Sequence, residues 1–163
     1  MNFQYAVRQQ FTIADFMVNM YLSDLTDEEI LVRPVPEANH IAWQLGHLIG
    51  AETRLVDAAV PGKMPELPAG FMEQHSKDAA TSNDPTNFRK KCEYFDLMQI
   101  VRAGSLAALD SVSESELNRP VSGRVPPFVK RAGDCFVTAA GHWVLHAGQW
   151  VVLRRQLGRD RKF

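Results

Sequence analysis

The sequence predicts an all-α protein, an up-down four-helix bundle with long connecting loops, in one domain over residues 1–163. Three observations carry this. Apolar residues recur at helical spacing in four long stretches. Clusters of proline and glycine separate those stretches. No stretch shows the strict alternation of a half-buried strand. The chain has 163 residues, 45% apolar and 23% charged, enough for one domain with a real core.

The first helix is expected over residues 2–22, where Phe3, Val7, Phe11, Ala14, Val18 and Tyr21 share a face. Ser23 and Asp24 break it. The acidic run Thr26-Asp27-Glu28-Glu29 suits one short helical turn, ended by Pro34 and Pro36. A second helix is expected over 39–59 with Asn39 as its cap, stopped by Pro61-Gly62. Residues 39–51 carry no permanent charge, which implies burial on more than one face. Residues 60–83 read as a long loop, of a length that is often functional. Asp84-Pro85 suits a helix start, so a third helix is expected over 84–112, burying Phe88, Cys92, Phe95, Met98, Leu106 and Leu109. After an irregular connector, the fourth is expected over 134–157, with Gly158 as terminator.

Composition excludes several function classes. A formal charge of -1 gives no field to recruit nucleic acid or an anionic membrane. The basic C-terminal residues, Arg154 to Lys162, complement a helix end. No uncharged apolar run is long enough to span a bilayer, and the first residues lack the pattern of a signal peptide. Two cysteines, Cys92 and Cys135, make no disulfide framework. Both lie in apolar helical stretches. The expectation is a cytoplasmic protein with buried, reduced thiols.

The chemistry points to the histidines. His142 and His146 are four residues apart, one above the other on the fourth helix, about 6 Å apart along its axis. Two imidazoles so spaced can reach one cation. Their surroundings are apolar, and a buried imidazole needs a partner. A metal would serve both; backbone carbonyls or water are the alternative. His47 is the best third ligand, flanked by Gly46, Gly50 and Ala51. It points well away from the main apolar stripe of its helix, so that helix must bury two faces. His40 reads as the mouth of a pocket or as surface, and His75 as solvated loop. Trp43 belongs to the same pocket. Glu52 lies within the apolar stripe as a supporting base, an added ligand or the partner of a cation. Gln149 follows His146 by three residues and can orient a ligand or simply pack. Three histidines without a fourth protein ligand suggest an open coordination position, as in catalytic sites, with Zn, Ni or Fe all compatible.

These residues resemble the DinB-like superfamily of metal-dependent four-helix-bundle proteins. The resemblance rests on Leu25-Thr26-Asp27-Glu28-Glu29 leading into Asn39-His40-Ile41-Ala42-Trp43-Gln44-Leu45-Gly46-His47-Leu48, on the Pro/Gly loop from Pro61, and on Gly141-His142-Trp143-Val144-Leu145-His146-Ala147-Gly148-Gln149. It spans nearly the whole chain. It implies a histidine triad mapped onto His47, His142 and His146, and often a dimer. It also implies a relation to transferases that use bacillithiol, mycothiol or similar small thiols. Ala147 stands where an arginine is common.

Together these give the functional expectation: a metal-dependent enzyme with a three-histidine site, acting on a small molecule, with low-molecular-weight-thiol S-transfer as the preferred reaction. A metal-dependent hydrolase and a non-catalytic stress-associated scaffold are the alternatives. A homodimer is expected, since Phe136, Trp143, Trp150 and Leu157 form a second apolar face on the fourth helix that can pack on a partner or within the chain.

Overall fold

The computed structural model describes residues 2–160 and 162. Six α-helices account for most of it: α1 (Phe3–Leu22), α2 (Ile41–Ala59), α3 (Phe71–Gln74), α4 (Lys91–Asp110), α5 (Glu114–Leu117) and α6 (Ala132–Gln156). The four long ones, α1, α2, α4 and α6, make the bundle, and the described residues contain no strand beyond one isolated bridge, Pro120 to Arg131. Helix α6 packs against both α1 and α2, and α2 also packs against α4. Among the described residues, no helix is long and apolar enough to cross a membrane.

Local chemistry explains most boundaries. Asn2 caps α1 by accepting the Tyr5 backbone N–H at 2.9 Å. Thr26 and Glu29 exchange bonds at 3.2 and 2.9 Å and close the short 3₁₀ turn Glu29–Leu31. Helix α2 starts one residue later than expected: His40, not Asn39, is the cap, and its Nδ1 accepts the Trp43 N–H at 3.1 Å. The third long helix starts seven residues after Asp84. The Asp84 carboxylate accepts from the Thr86 N–H and hydroxyl at 2.9 and 2.7 Å, which closes a separate turn, Pro85–Asn87. Phe88 is then extended, and α4 begins where Lys91 is pinned: its N–H donates to Asp27 at 2.7 Å and its ammonium to the carbonyls of Leu22, Ser23 and Leu25. Nothing local announces those partners, which lie more than sixty residues away.

The core runs the length of the bundle. One part gathers Leu22, Leu45, Leu48, Tyr94, Trp143 and Trp150; the other gathers Phe11, Val56, Leu109, Cys135 and Phe136. Phe136, Trp143 and Trp150 are therefore buried inside the chain, so this second face of α6 is spent on intramolecular packing. Cys135 is buried as expected, but Cys92 is exposed, because α4 turns Tyr94 and Met98 inward instead. His75 corrects the loop reading: it is 5% exposed, bonded at 2.8 Å to both the Phe71 carbonyl and the Tyr94 hydroxyl.

Candidate metal centre

Helix α2 presents Trp43, Gln44 and His47 at three- and four-residue spacing, so they sit on adjacent turns. Helix α6, packed alongside, presents His142 and His146. One ring nitrogen from each of the three histidines lies within 4.8 Å of the others. All three rings are partly buried. The Trp43 indole stacks on His47 at 4.8 Å, with only 9° between the planes, and holds that ring in place.

Hydrogen bonds assign the tautomer of His146. The Gln44 carbonyl oxygen accepts the Trp150 indole N–H at 2.8 Å, while its amide nitrogen donates to the Asn39 carbonyl at 2.7 Å. An indole N–H can only donate, so the oxygen end of Gln44 faces α6. His146 Nδ1, 3.0 Å from that same oxygen, must then carry its proton. Its Nε2 is left with a free lone pair, aimed at His142 Nε2 3.2 Å away. Two neutral ring nitrogens so close need a proton or a cation between them. Two nitrogens on one tetrahedral zinc ion, with bonds of 2.0–2.1 Å, lie about 3.3 Å apart, so the spacing fits a shared ion.

Electrostatics favours the neutral, ligating form. Burial holds His47 down to about 4, helped by the charges of His142 and Arg54. Burial does the same to His146, to about 4, with His142 and His47 contributing. Burial and Arg54 also lower His142. At neutral pH all three offer lone pairs, which is what a divalent ion requires.

Two cavities meet at His47. One, about 420 Å³, runs under the 60–83 loop between Gly46, Gly50, Met72 and Lys77. The other, about 560 Å³, has walls formed by Leu55, Phe128, Val137 and Leu145, with His142 at its edge.

A family model described as the DinB superfamily matches residues 10–150. The chain belongs to the DinB superfamily. Its fold is similar to the crystal structure of a conserved protein from Enterococcus faecalis, at 17% identity and a TM-score of 0.72, covering 98% of this chain and 99% of that one. No curated protein matches.

The remaining residues singled out in the sequence take different places in this DinB chain. Trp43 supports His47. His40 is fully buried and lines neither cavity at His47, because it caps α2 and donates from Nε2 to the Ser82 carbonyl at 3.3 Å. Gln149 is exposed on α6, and Gln44 makes the contact to His146. Glu52 lies on another face of α2, where its carboxylate accepts from Arg102 at 2.9 Å and from Ser105 and Trp143 at 2.7 Å. Burial raises that carboxyl above its ordinary value, opposed by Arg102 and the two hydrogen bonds. The glycines also have a different use from the one their neighbourhood to His47 suggests. A Cβ at Gly46 would come within 2.0 Å of the His75 ring, and one at Gly50 within 2.7 Å of Met72 Sδ. They admit the loop against α2. Sequence reasoning missed Gln44; its one signal was a polar side chain in an uncharged stretch, a turn before His47.

Proposed function

We propose that this DinB superfamily chain is a metal-dependent enzyme acting on a small molecule, with transfer of a low-molecular-weight thiol as its reaction. The observation that carries this is the convergence of His47, His142 and His146, with His47 lining both cavities and His142 the larger one. His47, His142 and His146 would hold the ion, and Zn, Ni and Fe all suit the donor set. A divalent ion supplies there a Lewis acid that lets a thiol lose its proton near neutral pH. The chain's own residues do the rest. Gln44 fixes the His146 tautomer, Trp43 fixes the His47 ring, and loop residues Met72 to Lys77 wall the approach. With a chlorinated aromatic acceptor, the sulfur–carbon bond forms, the carbon–chlorine bond breaks, chloride leaves with the bonding pair and the thiol proton passes to water.

The test uses protein purified without a His-tag. Metal analysis should find one divalent ion per chain, absent from a His142→Ala plus His146→Ala variant. The loaded protein, given bacillithiol, mycothiol, glutathione or cysteine and a chlorinated aromatic, should form conjugate faster than His47→Ala. Failure with every thiol, together with an ion held by four protein ligands, would replace this reading with the scaffold one. The same reading places the protein in the cytoplasm, where such thiols stay reduced. It is also a homodimer in this reading, with Ile13 and Phe16 on α1 and Val152 on α6 left exposed as apolar surface. Light scattering that finds only an 18.3 kDa species refutes the dimer.

A further inference from the structure

The walls of the two cavities divide by chemistry. Arg54 and Arg124 line both, and Lys77 adds a third cation to the smaller one. The single acid among the lining residues is Glu73. Elsewhere in the molecule Arg8, Arg102, Arg154 and Arg159 each hold a carboxylate, but among the described residues no ion pair involves Arg54, Lys77 or Arg124. Arg54 follows His47 by seven residues, two helical turns along the same face of α2. Gly50 lies between them with no side chain. The Arg54 guanidinium folds back over that gap, its Nη1 3.9 Å from where a Cβ of Gly50 would stand. Arg124 lines both cavities with Arg54, and burial, together with the Arg124 charge, lowers Arg54. Two guanidiniums that line the same cavities as His47, with no ion pair among the described residues, offer an anion charge-assisted donors there. Beyond them the larger cavity turns apolar, with Leu55, Phe128, Val137 and Leu145 on its walls; Phe128 is 70% and Leu145 66% exposed.

We propose that Arg54 and Arg124 recognise a carboxylate or phosphate group of the ligand, whose apolar portion lies against Phe128, Val137 and Leu145. This names the substrate class and rests on the reading of the histidine cluster as a substrate site. The ligand is an anionic amphiphile, anchored at its charged end two turns from His47.

Thiol-free probes test it on the zinc-loaded, untagged protein: hexanoate, hexyl phosphate, hexylamine and 1-hexanol, titrated calorimetrically. At least one anionic probe should bind about ten-fold or more tighter than hexylamine and 1-hexanol, the size of a charge-assisted contact. The Arg54→Gln plus Arg124→Gln variant, both positions being exposed, should keep its circular dichroism and its affinity for 1-hexanol while losing that preference. Acetate should bind about ten-fold or more weaker than hexanoate, because it lacks the apolar portion. Whichever of hexanoate and hexyl phosphate binds tighter identifies the anionic group. The proposal falls if no anionic probe binds better than 1-hexanol. It also falls if the double variant binds the anions as tightly as wild type, which would assign the attraction to the metal alone, or if acetate equals hexanoate. None of these probes carries a thiol, so a failure here leaves the conjugation assay standing, and a failed conjugation assay leaves this one readable.

Discussion

Helices α2 and α6 hold two polar clusters on different faces, and they are built on opposite plans. Around Glu52, every strong acceptor meets a donor from this chain. Arg102, Ser105 and Trp143 reach the carboxylate, and Arg102 extends to Asp15 at 3.0 Å while lying 4.1 Å over the Phe11 ring. That cluster ties all four long helices together, and none of its residues lines either cavity at His47. Around His47, His142 and His146, ring nitrogens face one another, cavities approach, and the Gln44 oxygen, which accepts from His146, and the Trp43 ring, which stacks on His47, fix ring orientation from behind. A buried network in which the carboxylate meets three donors specifies a fold, although Arg102 Nη2 is left without a partner. An acceptor-rich cluster with access asks for a ligand.

The contrast can be broken at the Glu52 end. Glu52→Ala leaves Arg102 buried without its main partner, and should cost about 3–5 kcal/mol of stability. Chemical denaturation measures it. A loss below about 1 kcal/mol would show that the network does not hold the helices together.

His40 sharpens it through pH. Burial, with Arg33, lowers the His40 imidazole to about 4, and its Nδ1 accepts the Trp43 N–H that caps α2, which only the unprotonated nitrogen can do. The unfolded chain takes up a proton near 6.5 that the folded chain refuses until about 4. Stability should therefore fall as pH drops through that window, by on the order of 2–3 kcal/mol for this residue. His40→Asn keeps a capping oxygen and should flatten the slope. Denaturation at a series of pH values reads it, and an unchanged slope would refute the assignment.

At the open end, Gln44→Leu removes the acceptor that holds His146 in its ligating tautomer. Metal affinity, measured by competition with a chelator, should fall about ten- to hundred-fold. An unchanged affinity would mean that Gln44 serves only Trp150.

The loop that walls the smaller cavity gives the smallest effect. Gly46→Ala would drive a Cβ into the His75 ring, with an overpacking cost of about 1–3 kcal/mol. Adding His75→Ala to Gly46→Ala should recover part of that loss. If Gly46→Ala alone is neutral by thermal denaturation, the loop does not dock on α2 as described.

Much of this molecule could be read from local pattern. Four long helices follow from apolar spacing and from proline and glycine breaks, because a helix in a bundle must show one apolar stripe to its neighbours. The triad follows too: His142 and His146 declare their spacing on one helix, and the uncharged run around His47 announces burial on two faces. Other features depended on which distant groups meet. Lys91 starts α4 only because the carbonyls of Leu22, Ser23 and Leu25 await its ammonium. His75 looked like solvated loop until Tyr94 and Gly46 closed around it. Glu52 had several candidate roles, and only helix packing brings it Arg102 rather than Arg54. Gln44 and Gln149 are equally polar and equally near a histidine in sequence; the approach of α2 to α6 turns one toward His146 and leaves the other in solvent. Periodicity says which side chains share a face of one helix. Which faces meet is set by packing between residues that can lie more than a hundred positions apart, and no local pattern encodes that.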